Sequence, residues 1–393
     1  MKIYDVIIIG SGLVGVSTAY ELSKAGRKVA LLDAGGLSAG ASAGNTGLLL
    51  FEDETSGTAF DLCVDSLRIY KDLDRELEMD FGFGPMNFLG FFCREEERET
   101  ALRKQAIYQR NGFDFELLDA AELRKKEPRL CLEKELGGAY YRQWIMDPLR
   151  LVFAYFRKAL LCGTEWFSHE KVVDFIREGS HVRGVITEKG TCLYGDNVVA
   201  ATGAWTGNLL RKLDVTLKQY YIQGACMVME RSREVLRHTI STFTSPRITM
   251  QEAAAEILRE TDWADFPEQN ADEFIIVPDT NGNHLVAQRS CVSRRDIDKV
   301  PQEYLRDMAA NVCRYLPSLK HQRIIRSWIT PVPFVEDKKP FWGRLEAYPE
   351  VIAASGFESV LIMAPAIGRV TGRMVMGEPA GYDLTGCDPN RTF

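Results

Sequence analysis

The stretch that most constrains the fold is Gly10-Ser11-Gly12-Leu13-Val14-Gly15, read with what stands on either side of it. Before it, Ile3 to Ile9 is apolar and β-branched, the pattern of a strand buried on both faces. After it, Val16, Ala19, Tyr20 and Leu22 form a helical stripe that ends at Gly26. Lys28 to Leu32 reads as a second strand and closes on Asp33. Strand, glycine turn, helix, strand and acid together predict a βαβ unit for a dinucleotide. Gly10 permits the tight turn, Gly12 lets the backbone approach a pyrophosphate, and Gly15 lets the helix pack close on the strand. The helix start, from Ser11 to Val14, offers unpaired N–H groups and the positive end of a dipole to phosphates. Asp33, followed by Ala34, is placed to accept from ribose hydroxyls and to disfavour a 2′-phosphate. The unit by itself leaves FAD and NAD both open.

The remaining bulk properties narrow the class. At 393 residues, a prior of about 150 residues per domain suggests two or three domains. A net charge of −7 gives no reason to expect nucleic acid. No apolar run approaches the roughly 18 residues that a membrane span needs, and Met1-Lys2-Ile3 runs straight into the first strand, so no signal peptide is expected. Cys63, Cys93, Cys131, Cys162, Cys192, Cys226, Cys291, Cys313 and Cys387 form no CxxC pair and no Cys/His cluster. They are expected to be small buried hydrophobes in a reducing cytoplasm, with no metal site. Membrane association is expected only through partners.

Gly40-Ala41-Ser42-Ala43-Gly44-Asn45-Thr46-Gly47 with Leu48 follows the acid, and by composition alone is a loop. It resembles the GAS-x-x-N-x-G stretch of the D-amino-acid-oxidase-like flavoproteins, which include glycine oxidase, sarcosine oxidase and the flavin subunits of amino-acid and opine dehydrogenases. Further stretches resemble that family in order: Glu127-Pro128, Gly137-Gly138, Asp147-Pro148, and Ala201-Thr202-Gly203-Ala204-Trp205. Trp328, Pro333, Asp337 and Pro340 keep the family's W-x4-P-x3-D-x2-P spacing, and Asp383-Leu384 with Arg391 and Phe393 resembles its close. The resemblance covers essentially the whole chain and favours FAD, held non-covalently, over NAD. It implies an α/β fold: a Rossmann-like FAD-binding domain of glutathione-reductase type, plus an α+β substrate domain with an antiparallel or mixed sheet. The expected segments are 1–85, 145–217 and 322–393 for FAD, and 86–144 and 218–321 for substrate. The resemblance also brings Val173 to the adenine and Thr202, Gly203, Trp205 and Gly356 to the cofactor; Ile362 to Gly368 opens the last helix, with Ala364-Pro365-Ala366-Ile367-Gly368 brought to the flavin.

Such proteins take a hydride from a carbon bearing an amine, which requires positioning and no strong acid or base. No triad is sought, and His284 is read as a hairpin residue. The family's carboxylate-binding arginine, just before the proline of the W-x4-P stretch, is Val332 here. A second arginine position falls at Phe357-Glu358-Ser359-Val360. A free carboxylate therefore lacks charge-assisted hydrogen bonds worth about 1.5–3 kcal/mol each. Candidate substrate residues are then Tyr220, Tyr221, Arg289, Arg326, Trp328 and Glu358, with no catalytic residue assigned. The expectation is oxidation of a secondary amine or amino acid (proline-like, N-alkyl glycine or opine), as a dehydrogenase subunit passing electrons to partner subunits. The alternative is a non-catalytic flavin-binding or electron-transfer subunit of a heteromeric complex.

Overall fold

A computed structural model of the chain describes residues 3–49, 57–232, 236–243, 250, 253–254, 256–257, 268–279, 281–292, 297 and 299–391. Two sheets organise them. The first centres on β1 (Ile3–Ile9), with β2 (Val29–Leu32) and then β7 (Glu165–Phe167) on one side. On the other side lie β10 (Cys192–Ala200), β17 (Val351–Ser355) and β16 (Phe341–Arg344). All of these run parallel except β16, and the hairpin β8 (Val172–Glu178) to β9 (His181–Thr187) adds antiparallel to β10. The second sheet runs β15 (Ile324–Val335), β11 (Gln219–Met229), β14 (His284–Val292), β13 (Gln269–Pro278), β12 (Thr239–Thr242), β4 (Gly84–Phe92), β6 (Gly137–Ile145) and β3 (Leu48–Leu49). β5 (Phe115–Asp119) pairs with β6, and the parallel exception is β12 beside β4.

The period of two along β1 sends its side chains to two cores. Val6 and Ile8 pack under a helical layer, whereas Ile7 and Ile9 join Val172, Val185 and Leu210 on the opposite face. The layer consists of α1 (Leu13–Lys24), α5 (Pro148–Leu161) and α8 (Val360–Met376), with α2 (Thr58–Leu77) against α8. α1 and α8 approach closely because Gly368 has no side chain; a Cβ there would lie 2.7 Å from Cβ of Ser17. Two helix starts are capped by their own side chains. Asp119 accepts from the N–H groups of Ala121 and Glu122 to open α4 (Ala120–Lys126), and Asp147 accepts from that of Arg150 to open α5. Three more helices are α3 (Glu95–Arg110), α6 (Thr206–Leu210), which runs on as a 3-10 turn to Leu213, and α7 (Gln302–Tyr315), which packs on β13 and β14.

Four expectations need correction. The last helix opens at Val360, two residues before the expected Ile362, so Ala364, Pro365, Ala366, Ile367 and Gly368 lie past its first turn, all buried. A proline past the first turn leaves the carbonyl four residues earlier without its donor. Here that carbonyl is Leu361, and the hydroxyl of Tyr70 from α2 donates to it at 2.6 Å. Ser66, also on α2, accepts from the N–H of Ala366 at 3.3 Å. A tertiary contact, invisible in the sequence of α8, thus repairs the defect. Second, β15, expected in the FAD-binding segment 322–393, is part of the second sheet, paired with β11 from Gln219 to Met229. Third, β3 and the start of β4, inside the expected 1–85, belong to that sheet too. Fourth, Cys63, Cys226 and Cys291 are buried, but Cys93, Cys131, Cys162, Cys192 and Cys313 are exposed, at element ends and on solvent faces. The sequence also reads as helical over 251–260 and as an acidic, irregular insertion over 261–270, and both stretches lie largely outside the described residues. Among the described residues no helix is long and apolar enough to cross a membrane.

Replacing Tyr70 by Phe keeps the ring and removes the donor to Leu361. A buried carbonyl left unpaired costs about 1–3 kcal/mol, and urea unfolding of Tyr70→Phe is expected to show a loss of that size with an unchanged denaturant slope.

Candidate functional site

The parallel strands β1, β10 and β17 all end at one cleft of about 660 Å³, whose far wall is Pro331-Val332-Pro333 of β15. Carboxyl ends of parallel strands are where such sheets open to ligands. At its head, Gly10 takes φ +106°, and a Cβ there would fall 2.3 Å from the carbonyl oxygen of Ala201. Gly15 sits one layer beneath, since its Cβ would be 1.8 Å from the oxygen of Gly10. It therefore joins helix to strand and does not line the cleft. α1 starts from Gly12 with no side-chain cap and no acid in its first turn. The N–H of Leu13 donates to Ser42 Oγ at 3.0 Å, and Gly12, Leu13, Val14 and Ser42 line the cleft.

Asp33 and Ala34 also line it. The carboxylate is fixed by its own turn: Oδ2 accepts from the N–H and hydroxyl of Ser11, both at 2.7 Å, and Oδ1 from the N–H of Gly35 at 2.9 Å. Ser11, expected at the phosphates, is wholly buried and orients the acid. On the other flank, the register of β8 against β9 skips Val173, because Val172 faces Thr187 and Asp174 faces Ile186. A bulge of this kind leaves the extra residue outside the ladder, and Val172-Val173 borders the cleft beside Lys171. The turn Thr202-Gly203-Ala204-Trp205 closes that side. It is held from behind by Gln219, whose Nε2 donates to the carbonyls of Gly203 and Ala204, and by Ser355, whose hydroxyl donates to Gly203 at 2.8 Å. Gly356, Phe357 and Val360, the first residue of α8, complete the lining.

The glycine-rich loop divides. Gly40, Ala41 and Ser42 face the cleft, whereas Asn45, Thr46, Gly47 and Leu48 run on to the second sheet. There Asn45 Oδ1 accepts from the N–H of Gly47, and the carbonyl of Gly47 accepts from the N–H of Met146, each at 2.9 Å. Between the halves, the indole of Trp328 donates to the carbonyl of Gly44 at 2.9 Å.

None of the six candidate substrate residues lines the cleft. Tyr220 is buried, stacked on Phe334. Tyr221 lies opposite Pro333, and Glu358 lies one residue beyond the lining Phe357. Arg289 stands over the ring of Tyr304, and Arg326 is exposed, 6.0 Å from the centre of Trp328. Trp328 is occupied with the loop. Val332, by contrast, lines the cleft, and among its described lining residues the ionisable ones are Asp33, Lys171 and Lys212. Lys171, Lys212 and Asn208 carry no motif in the sequence; only the fold brings them to the mouth. Among the described residues no group of His, Cys, Asp or Glu is arranged to hold a metal ion.

A family profile described as "FAD dependent oxidoreductase" matches residues 5–374. The chain belongs to this FAD-dependent oxidoreductase family. It is 26% identical to glycine oxidase from Bacillus licheniformis over 96% of this chain and 94% of that one. It is 30% identical to sarcosine oxidase subunit beta from Arthrobacter sp. over 54% of each. The crystal structure of glycine oxidase from Geobacillus kaustophilus superposes with a TM-score of 0.86 over all of both chains at 21% identity, which establishes the shared α/β fold. The cofactor of this chain is therefore FAD, and the cleft suits it: a helix start cleared of side chains, a fixed acid nearby, and an apolar far end. When bound, FAD supplies a hydride acceptor.

His284 is part of the second sheet's interior and not of the cleft. It is fully buried; its Nε2 accepts from the N–H of Leu236 at 3.5 Å and its Nδ1 lies 3.2 Å from Gln322 Oε1. Burial holds its pKa below the ordinary value, and burial does the same to His238. Unfolding frees both to bind protons, so stability is complete above about pH 6.5 and falls as pH drops below it. The urea midpoint is expected to decline from pH 7.5 to 5.5, and His284→Asn should flatten that slope. A second outcome concerns the loop: Trp328→Phe removes the donor to Gly44, and FAD titration of the apoprotein is expected to show binding weakened about tenfold, or about 1.4 kcal/mol.

Proposed function

We propose that this chain oxidises a secondary amine or N-substituted amino acid (an N-alkyl glycine, a proline-like ring or an opine) by hydride transfer to FAD. In this reading the pyrophosphate lies at Gly10, Gly12, Leu13 and Ser42, the adenosine at Asp33 and Val173, and the flavin between Gly356–Val360 and Pro331–Pro333. The observation that carries it is Val332. It presents an alkyl side chain at the wall where a carboxylate-binding arginine is expected from the family resemblance, and no arginine is among the described residues lining the cleft. An apolar wall suits an alkylated nitrogen, which must be neutral for its neighbouring C–H to leave as hydride. The chain's own part is positional: Ser11 and Gly35 hold Asp33, Gln219 and Ser355 hold the 202–205 turn, and the two prolines stiffen the wall.

The relative named sarcosine oxidase subunit beta supports placing the chain in a heteromeric complex, which we read as a dehydrogenase that passes electrons to a partner. Anaerobic mixing with glycine, N-methyl amino acids, proline and opines tests the reading by bleaching of the flavin absorbance. Bleaching is expected with N-substituted substrates and slower or absent with glycine. Preference for unsubstituted amino acids would refute the substrate class. No bleaching by any amine, with partner subunits present, would leave a flavin-binding electron-transfer subunit as the function.

A further inference from the structure

Two lysines stand at the mouth of the cleft with their charges uncommitted. Lys171 and Lys212 line it together with Asp33, and these three are its ionisable lining residues among those described. Glu170, beside Lys171, is turned to Lys189 Nζ at 3.3 Å. Arg211, beside Lys212, donates to Asn208 Oδ1 at 3.0 Å. Neither Lys171 nor Lys212 forms an ion pair with a described carboxylate. Asp33, by contrast, has both oxygens occupied by Ser11 and Gly35.

The fold brings the two lysines to one flank. Gly203 to Leu213 is a single helical run, α6 continued at either end by a 3-10 turn. Trp205, Asn208, Leu209 and Lys212 recur at the spacing of one helix face, and all four line the cleft. Leu210 and Leu213 are buried in one core cluster with Val172, and β8 packs on the turn Arg211–Leu213. Lys171 and Lys212 each stand one residue before a member of that cluster. The packing that seats Val172 and Leu213 thus carries both lysines to the cleft.

The pyrophosphate of FAD is a dianion. A helix start offers it only about half an elementary charge, and the first turn of α1, Leu13 to Val16, holds no basic side chain. Asp33 repels phosphate from within the cleft, and the whole chain carries −7. Lys171 and Lys212 are the full positive charges among the described lining residues. We infer that these two lysines bind the ADP half of FAD by charge, holding its phosphates from the adenosine side and steering the dianion onto the apoprotein. The inference rests on the adenosine lying at Asp33 and Val173, as proposed above. Each lysine strengthens binding about fivefold at low salt, the upper range for an exposed charge pair.

Titration of the apoprotein with FAD, read by flavin fluorescence, tests this at about 0.01 M and about 1 M NaCl, where charges are screened over about 30 Å and about 3 Å. Lys171→Gln and Lys212→Gln are each expected to weaken binding about fivefold at low salt, and the double variant about twentyfold, with slower association in stopped flow. At the high salt concentration both variants should converge on the wild type, and Lys212→Arg should match it throughout. Lys320→Gln removes the same charge from an exposed position outside the cleft and should change nothing. ADP, which carries the adenosine and both phosphates without a flavin, should lose affinity in step with FAD. Glutamine variants that bind FAD as tightly as the wild type at low salt would overturn the inference. So would a loss that persists undiminished at high salt, or one that spares ADP. Asp33→Ala separates the two readings: weaker ADP binding there, with both lysine variants normal, strikes the lysines and leaves the adenosine placement standing.

Discussion

Everything in the cofactor half depends on three backbone segments approaching more closely than side chains permit. β1 ends at Gly10, the carbonyl of Ala201 presses on that residue from the end of β10, and α1 crosses the oxygen of Gly10 at Gly15. Any Cβ at either glycine would lie inside van der Waals contact. The approach aims the bare start of α1 at the cleft and places Asp33 where Ser11 can hold it. Dinucleotide binding follows from that convergence because orphan N–H groups and a fixed acid are brought to one edge.

The second sheet shares a core with this frame, Phe88, Phe92 and Tyr141 lying in one cluster with Val6 and Leu13, and specific hydrogen bonds add to that packing. Trp328 reaches across to Gly44, Gly47 meets Met146, and Gln219 supports the Gly203 turn from beneath. Each link joins a cleft-forming loop to a strand of the second sheet, so the sheet that supplies Pro331-Val332-Pro333 also fixes the loops opposite it. Geometry at the apolar end of the cleft is therefore a property of both sheets. α2 plays the same part for α8, giving Tyr70 and Ser66 to a helix that Pro365 would otherwise weaken.

Much of this was legible in the residues. A continuous apolar, β-branched run located β1, a helical stripe located α1, and the strand closing on Asp33 located β2. Such signals are local, carried within a few residues of the element they describe. Errors arose where the deciding contact was distant. The family resemblance puts the stretch around Pro365 at the start of the last helix; Tyr70, far away in sequence, makes a proline tolerable past the first turn. β15 read as a cofactor strand from its motif, yet its backbone pairs with β11. Ser11 belonged to the right motif but supports the acid, whereas Gly15 packs helix on strand as its place in the motif implies.

The sequence by itself determined the dinucleotide unit, the family resemblance and the loss of arginine at position 332, because glycine, acid and charge carry their chemistry wherever they are placed. Only the tertiary structure decided which motif residues face the cleft and which stand behind it. It alone showed that Val332 lines the wall while Arg289 and Arg326 lie elsewhere, and that Lys171 and Lys212 meet at the mouth of the cleft. The physical reason is that burial, close approach and hydrogen-bond partnership are relations between segments, and no single segment contains them.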